Sequence, residues 1–360
     1  MQGFERVDRQ LADAAALAGH LVPVGSMFAF LAAHRAEVFP DVDYADLFAP
    51  PGVGRASLPA TQMAAVLALQ ALCDYSDRET AEAVRFDVRW KVAIGAAVDD
   101  AGFDPSSLVY WRNRIAKSAR PHRVNDAVKR IVEQTGVLKG RRRRAVDSTI
   151  LADAVATQDT VTQLVAAIRR VRRLVAAARE VELGGAHEYD RPGKPQCAWD
   201  DPQATQALVA GLVNDALALL AAVAEVDLDD EQAEAVALLA LVAGQDVEPG
   251  QRPGSWQIAR KVAHDRVIST VDPQARHTRK TNTDKRDGYK AHLATEPETG
   301  LVTECALTAA NLPDGPTGLA LLAGEAPGLE VLGHSGYGSG PTRAALRAAG
   351  HTQTIKSLRQ

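Results

Sequence analysis

Cysteine is scarce in this chain of 360 residues: Cys73, Cys197 and Cys305 stand far apart, with no Cys-x-x-Cys pair among them. That excludes a disulfide framework and a structural zinc site of the usual spacing, and it suits a reducing cytoplasm. An excess of either charge is missing too, since 41 Lys and Arg against 45 Asp and Glu leave a net charge of -4. Composition therefore supplies no general polyanion-binding surface, and any contact with nucleic acid must be local. Long apolar runs are also lacking. The alanine-rich run 216–224 is bounded by Asp215 and Glu225, well short of the roughly 20 residues that span a bilayer. The opening MQGFERVDRQ mixes both charges and lacks the apolar core of a signal peptide. No internal repeat is visible, and the turn Gly336 to Gly340 has neither the GK[ST] ending nor the GxGxxG spacing of a nucleotide loop. The expectation is a cytoplasmic protein, nucleoid-associated if it binds DNA, with no membrane contact.

What is present is enough apolar residue, 46% of the chain, to build two or three packing units. Met63, Val66, Leu67, Leu69 and Leu72 recur at helical spacing, and Ser76 with Glu79 forms a capping box that starts a second helix after a tight turn. A third helix follows Asp104 to Ser107, and a fourth runs from Val124 to Thr135 and ends near Gly136. Residues 1–136 thus read as a helical domain, with a core at about 45–125. LKGRRRR then leads into AVDSTIL, read as a basic linker and a buried first strand within 137–152. Helices from Asp159 onward, at 203–225 and at 230–243, form a helical stretch over 153–250. The remainder, 251–360, reads as strands RVISTVD, DGYKAHLAT and GLVTECALT, a helix from Pro316 to Ala323, the strand GLEVLG and a last helix from Pro341 to Ala349. The class is α plus α/β: a helical domain, then a mixed sheet interrupted by an all-helical insertion.

Phosphodiester transfer by two metal ions needs carboxylates on rigid elements, holding the cations about 3.5–4 Å apart. Asp147, at the end of the first strand, is placed for that, or it caps a turn together with Ser148 and Thr149. Several basic groups are candidates for DNA contact. Arg112 and Arg114 share a helix with Trp111, which reads as core. Lys139, Arg141, Arg142, Arg143 and Arg144 make the sharpest basic run, to meet phosphates or to form a solvated linker. Arg276, His277, Arg279 and Lys280 form a second run, and Lys285, Arg286, Lys290 and His292 either face phosphates or are a solvated cluster. Arg169, Arg170, Arg172 and Arg173 read as a solvated helix face.

The ordered set LCDYSDRETAEAVRFDVRW, FDPSSLVYWRNRI, AVDSTIL, DPQARHTRK, DGYKAHLATEPETGLVTECALTAAN and EVLGHSGYGSG, over roughly residues 45 to 356, resembles the IS1182 group of bacterial insertion-sequence transposases, IS4/IS5-like enzymes of the DDE kind. The resemblance implies an N-terminal helical DNA-binding domain and a ribonuclease-H-like core. It also implies three acidic ligands for Mg2+ or Mn2+, dimers on element ends, and cutting and joining of DNA. The first acid falls on Asp147. At the second, directly after EVLG, this chain has His334, a neutral imidazole that suits zinc or manganese better than magnesium. The third, a Glu on a later helix, is expected to be missing together with the closing strand, which makes the core incomplete and the copy truncated. The expectation is a transposase-derived chain that binds DNA and does not cut it. It acts as a homodimer, or in mixed dimers that inhibit a complete transposase. A metal hydrolase using Asp147, His334 and His292 is the alternative of another class.

Overall fold

Apolar residues at helical spacing build the first part of the chain, and a change to strand periodicity builds the second. The computed structural model describes residues 2–3, 12–50, 56–152, 155–184, 186–252, 254–259, 263–279 and 283–357. Contacts divide the chain into units 1–140 and 141–360.

The first unit contains α1 (Ala14–Ala18), α2 (Met27–Val38), α3 (Ala60–Cys73), α4 (Asp77–Phe86), α5 (Val88–Ile94), α6 (Ser106–Ala116) and α7 (Arg123–Thr135). Its core gathers Met63, Leu69, Trp90, Leu108 and Trp111, and reaches back to Leu31, Phe39 and Tyr44. The capping box forms as its residue types require: Ser76 Oγ accepts from the Glu79 N–H at 3.3 Å, and Glu79 Oε2 accepts from the Ser76 N–H at 2.8 Å. Gly136, with φ +64°, closes α7 in the left-handed conformation that glycine adopts without cost.

The second unit opens with β1 (Arg143–Ala152), followed by α8 (Thr160–Leu174), α9 (Ala176–Arg179), α10 (Pro202–Val223) and α11 (Asp230–Gln245). By length and composition α10 could cross a bilayer. Its Val209, Leu212, Val213, Ala216 and Leu219 instead pack with Leu164, Ile168 and Val171 of α8 and Leu239 and Val242 of α11. The chain continues with β2 (Val247–Pro249), β3 (Trp256–Ile258), β4 (Arg276–Arg279), β5 (Lys285–Thr295), β6 (Val302–Ala309), α12 (Asp314–Leu321), β7 (Glu330–Gly333), α13 (Gly340–Ala348) and β8 (Thr352–Ile355).

β5 pairs antiparallel with β1 along one edge and with β6 and β4 along the other. β1 pairs parallel with β7, and β7 parallel with β8. The sheet is therefore mixed, in the order β6-β5-β1-β7-β8, with β4 extending the β6 side. Val146, Ala294, Leu321, Val331, Tyr337, Leu346 and Ile355 form the core between this sheet and its helices.

Four expectations change. A strand follows α13 where none was expected: Thr352–Ile355 lies against β7 in register from Glu330↔Thr352 to Gly333↔Ile355. Only Ile355 of that strand is buried, so TQTI carries almost no apolar periodicity to read. RVISTVD is not a strand, although residues 267–270 are buried. Glutamine side chains replace a ladder there, since Gln245 Oε1 accepts from the Val267 N–H at 2.9 Å and Gln158 Oε1 from the Thr270 N–H at 2.8 Å. The basic run at 276–279 is itself a strand, β4, drawn into the sheet by pairing with β5. The first strand is half exposed rather than buried: along Arg143–Ala152 only Arg144 and Val146 are fully covered.

Candidate functional site

β1 lies where the sheet changes direction, antiparallel on its β5 side and parallel on its β7 side. In open sheets the crevice beyond the carboxyl ends of such strands is where ligands bind. The β1–β7 register ends at Val146↔Gly333, so the next residues, Asp147 and His334, emerge side by side. His334 Nε2 is 3.5 Å from Asp147 Oδ1 and 3.6 Å from Asp314 Oδ2. The Asp147 side chain is 80% exposed and that of Asp314 only 12%. Asp314 opens α12, where a carboxylate meets the positive end of the helix dipole. Lys290 Nζ, held by the Leu312 carbonyl at 2.7 Å, donates to Asp314 Oδ1 at 2.9 Å.

His334 is oriented from behind. Its Nδ1 accepts from the Gly336 N–H at 2.9 Å, and its ring meets Tyr337 edge to face at 4.9 Å. Burial pushes the Tyr337 phenol well above its ordinary range, so it stays protonated. Glycine at 336 is required by space, because a Cβ there would lie 2.4 Å from Asp314 Oδ2 and 2.5 Å from His334 Cε1.

The acidic end of this groove faces a basic one, lined by Thr278, Arg279, Arg286 and Lys290. Arg279 is exposed on β4, opposite Lys285 of β5. Arg286 pairs with Asp284 at 3.0 Å, Arg276 with Asp265 at 2.7 Å, and His277 with Asp287 at 2.7 Å. Lys280 lies outside the described residues. His292 does not join the phosphate-facing set or a hydrolase trio with Asp147 and His334. It is fully buried, with Nε2 on Thr308 Oγ1 at 2.9 Å, and burial lowers its pKa and favours the neutral ring. His292 shares its side of β5 with Lys290, which reaches the groove, and with the fully buried Ala294, so its position further along the strand and not strand alternation takes it out of the groove.

The other basic candidates are scattered. Arg141 pairs with Glu298, Arg143 with Glu330 at 3.2 Å, and the buried Arg144 with Glu325 at 2.5 Å, while Lys139 and Arg142 are exposed. Arg112 makes a two-pronged pair with Asp77, at 2.8 and 2.7 Å, and holds that carboxyl below the usual range. Arg114 stacks on Tyr110 at 4.7 Å and Phe48 at 4.9 Å. Trp111 is core, as its spacing predicts. The 169–173 arginines are not simply a solvated face. Arg169 Nε donates to the Tyr189 carbonyl at 2.9 Å and Arg172 Nη1 to that of Val181 at 3.2 Å, tying down the loops after α8.

Asp314 was not legible as a site residue. In NLPDGP it reads as a turn and helix-start aspartate, and only the fold brings it to His334.

Magnesium needs oxygen ligands converging at about 2.0–2.1 Å. Among the described residues no group of three His, Cys, Asp or Glu side chains is spaced to hold a metal ion. His334 in particular does not fit. With Nδ1 accepting from Gly336, the neutral ring carries its proton on Nε2, so the nitrogen facing the groove is a donor and not a ligand.

Residues 22–114 match a family described as a transposase domain (DUF772), and residues 256–357 match the transposase DDE domain. The chain carries two transposase domains. The first match falls within unit 1–140 and the second within unit 141–360. The transposase DDE match includes Asp314 and His334, whereas Asp147 precedes it, on β1. No curated protein and no solved structure matches the chain.

Proposed function

We propose that this is a transposase-derived protein of the IS1182 kind that binds DNA and does not cut it. The observation that carries the reading is His334 beside Asp147 where the parallel pairing of β1 with β7 ends, the place at which a DDE enzyme needs a second acid. The strand order β6-β5-β1-β7-β8, with the first three antiparallel and the rest parallel, supports a ribonuclease-H-like core. In that core α8 to α11 are an insertion after the first strand. The two transposase matches support DNA as partner, cytoplasmic work at the nucleoid, and Mg2+ or Mn2+ in relatives with the full acid set.

Exposed Lys139, Arg142, Arg279 and Lys285, with Arg286, are the groups assigned to phosphates. Four or five such contacts correspond to a slope of log K against log salt of about -4. Arg112, Arg114, Arg141, Arg143, Arg144, Arg276 and Lys290 belong to the same basic set, but their existing contacts make them weaker contributors. Binding of purified protein to duplex DNA from the flanks of its own gene, across a salt series, tests this. A steep salt dependence supports the reading, and no binding at low salt overturns it. The loss of an acid at 334 also favours a role as an inhibitor, occupying element ends as a homodimer or in mixed dimers with a complete transposase.

A further inference from the structure

Asp314 brings a second carboxylate to the groove that the acid positions alone do not account for. Its Oδ1 is fixed by Lys290 at 2.9 Å, which leaves Oδ2 as the oxygen facing His334 at 3.6 Å. Asp147 Oδ1, 3.5 Å away on the other side, is held by the Ser148 N–H at 2.8 Å. Between them stands one nitrogen, and the Gly336 N–H on Nδ1 makes that nitrogen the protonated one. A positively polarised N–H between two carboxylate oxygens does electrostatically what a cation would do there. The absence of a side chain at Gly336 leaves the space through which His334 and Asp314 approach.

We infer that His334 closes this groove to divalent cations by placing Nε2–H between Asp147 and Asp314, and that Asp314 becomes a cation ligand once His334 is exchanged for a carboxylate. The inference deepens the reading of His334 as the group at the second acid position, and it is independent of DNA binding. A carboxylate at 334 removes the donor and adds hard oxygen, so three carboxylates then share one groove. Asp147, mostly exposed, has room to swing toward a cation, while Asp314 is held in place by Lys290.

The test is Mn2+ binding, read from the loss of the free-ion paramagnetic resonance signal, by the full chain, its His334→Asp variant, and His334→Asp combined with Asp314→Asn. The single variant is expected to bind Mn2+ at least ten-fold more tightly than the parent, and the added Asp314→Asn to remove most of that gain. Equal affinity of parent and single variant overturns the inference, as does a double variant that binds as well as the single one. A second measurement needs no refolded carboxylate variant: long-range proton–nitrogen correlation of the histidine rings in the parent, with His334 assigned by its loss in His334→Gln. An unprotonated Nδ1 is expected, and a protonated Nδ1 with a bare Nε2 overturns the inference. Neither readout involves DNA, so failure of DNA binding and failure of this inference are separable.

Discussion

Arg123 carries a charge into the core of the first unit with no side-chain exposure. Its guanidinium donates to Asp46 at 2.7 and 2.8 Å, to Ser118 Oγ at 2.9 Å, and to the carbonyls of Asp43 at 2.5 Å and Arg120 at 3.0 Å. A buried cation left without its carboxylate is costly, but Asp46 is half exposed and the carbonyls remain. Asp46→Asn is therefore expected to cost about 1–2 kcal/mol in urea unfolding at pH 7. The hydrogen bond from Arg123 holds the Asp46 carboxyl below its ordinary value. Its contribution is thus complete above the unfolded carboxylate value, near 3.8, and is lost as pH falls through the lower folded value. Below about pH 4 the parent should lose stability more steeply than Asp46→Asn; parallel acid limbs would refute the assignment. Two arginines read alike in the sequence now separate. Arg279→Ala is expected to weaken DNA binding and reduce the salt slope by about one, with little change in melting. Arg112→Ala should instead destabilise the fold, because its charge is already spent on Asp77. Equal effects of the two on DNA affinity would contradict this. Asp147, expected at a strand end, instead lies in the middle of β1, which runs on to Ala152, whereas Trp111 was legible as core because a helix-face position is a local property. Asp314 was not, because its partners His334 and Lys290 come from β7 and β5.

Elements with strong local signals formed where the sequence places them: the Ser76 capping box, α8 after its Asp159 cap, and the β5–β6 hairpin around Glu298 to Gly300. The failures are of another kind. Apolar, β-branched RVISTVD has the composition of a strand, yet its backbone is held by Gln163 of α8, Gln245 of α11 and Gln158 of the segment before α8, a long-range arrangement with no periodic trace. Each such bond is worth roughly 1 kcal/mol, more where a buried N–H is left bare. Gln245→Ala should therefore accelerate amide exchange at Val267 selectively, before any change at Val171 in the middle of the α8 core. Uniform acceleration across the unit would mean that the glutamine supports global rather than local structure. β8 escaped notice for the opposite reason, since a four-residue strand with one buried side chain is defined by its neighbour β7 and not by its own pattern.

At the scale of the molecule, two units with separate cores carry the two transposase matches. A chain that divides into two compact units is not a single two-state domain, so calorimetry is expected to resolve more than one transition. Asp46→Asn should lower only one of them; a single transition shifted as a whole would contradict the division. The proposed function rests on His334 standing beside Asp147, at the position where the resemblance to DDE enzymes calls for an acid. The most direct test is a nicking assay on duplex DNA from the flanks of the chain's own gene, with Mg2+ or Mn2+, comparing the purified chain with Asp147→Ala. The prediction is no metal-dependent nicking above background by either protein. Metal-dependent nicking by the parent that disappears in Asp147→Ala would contradict it.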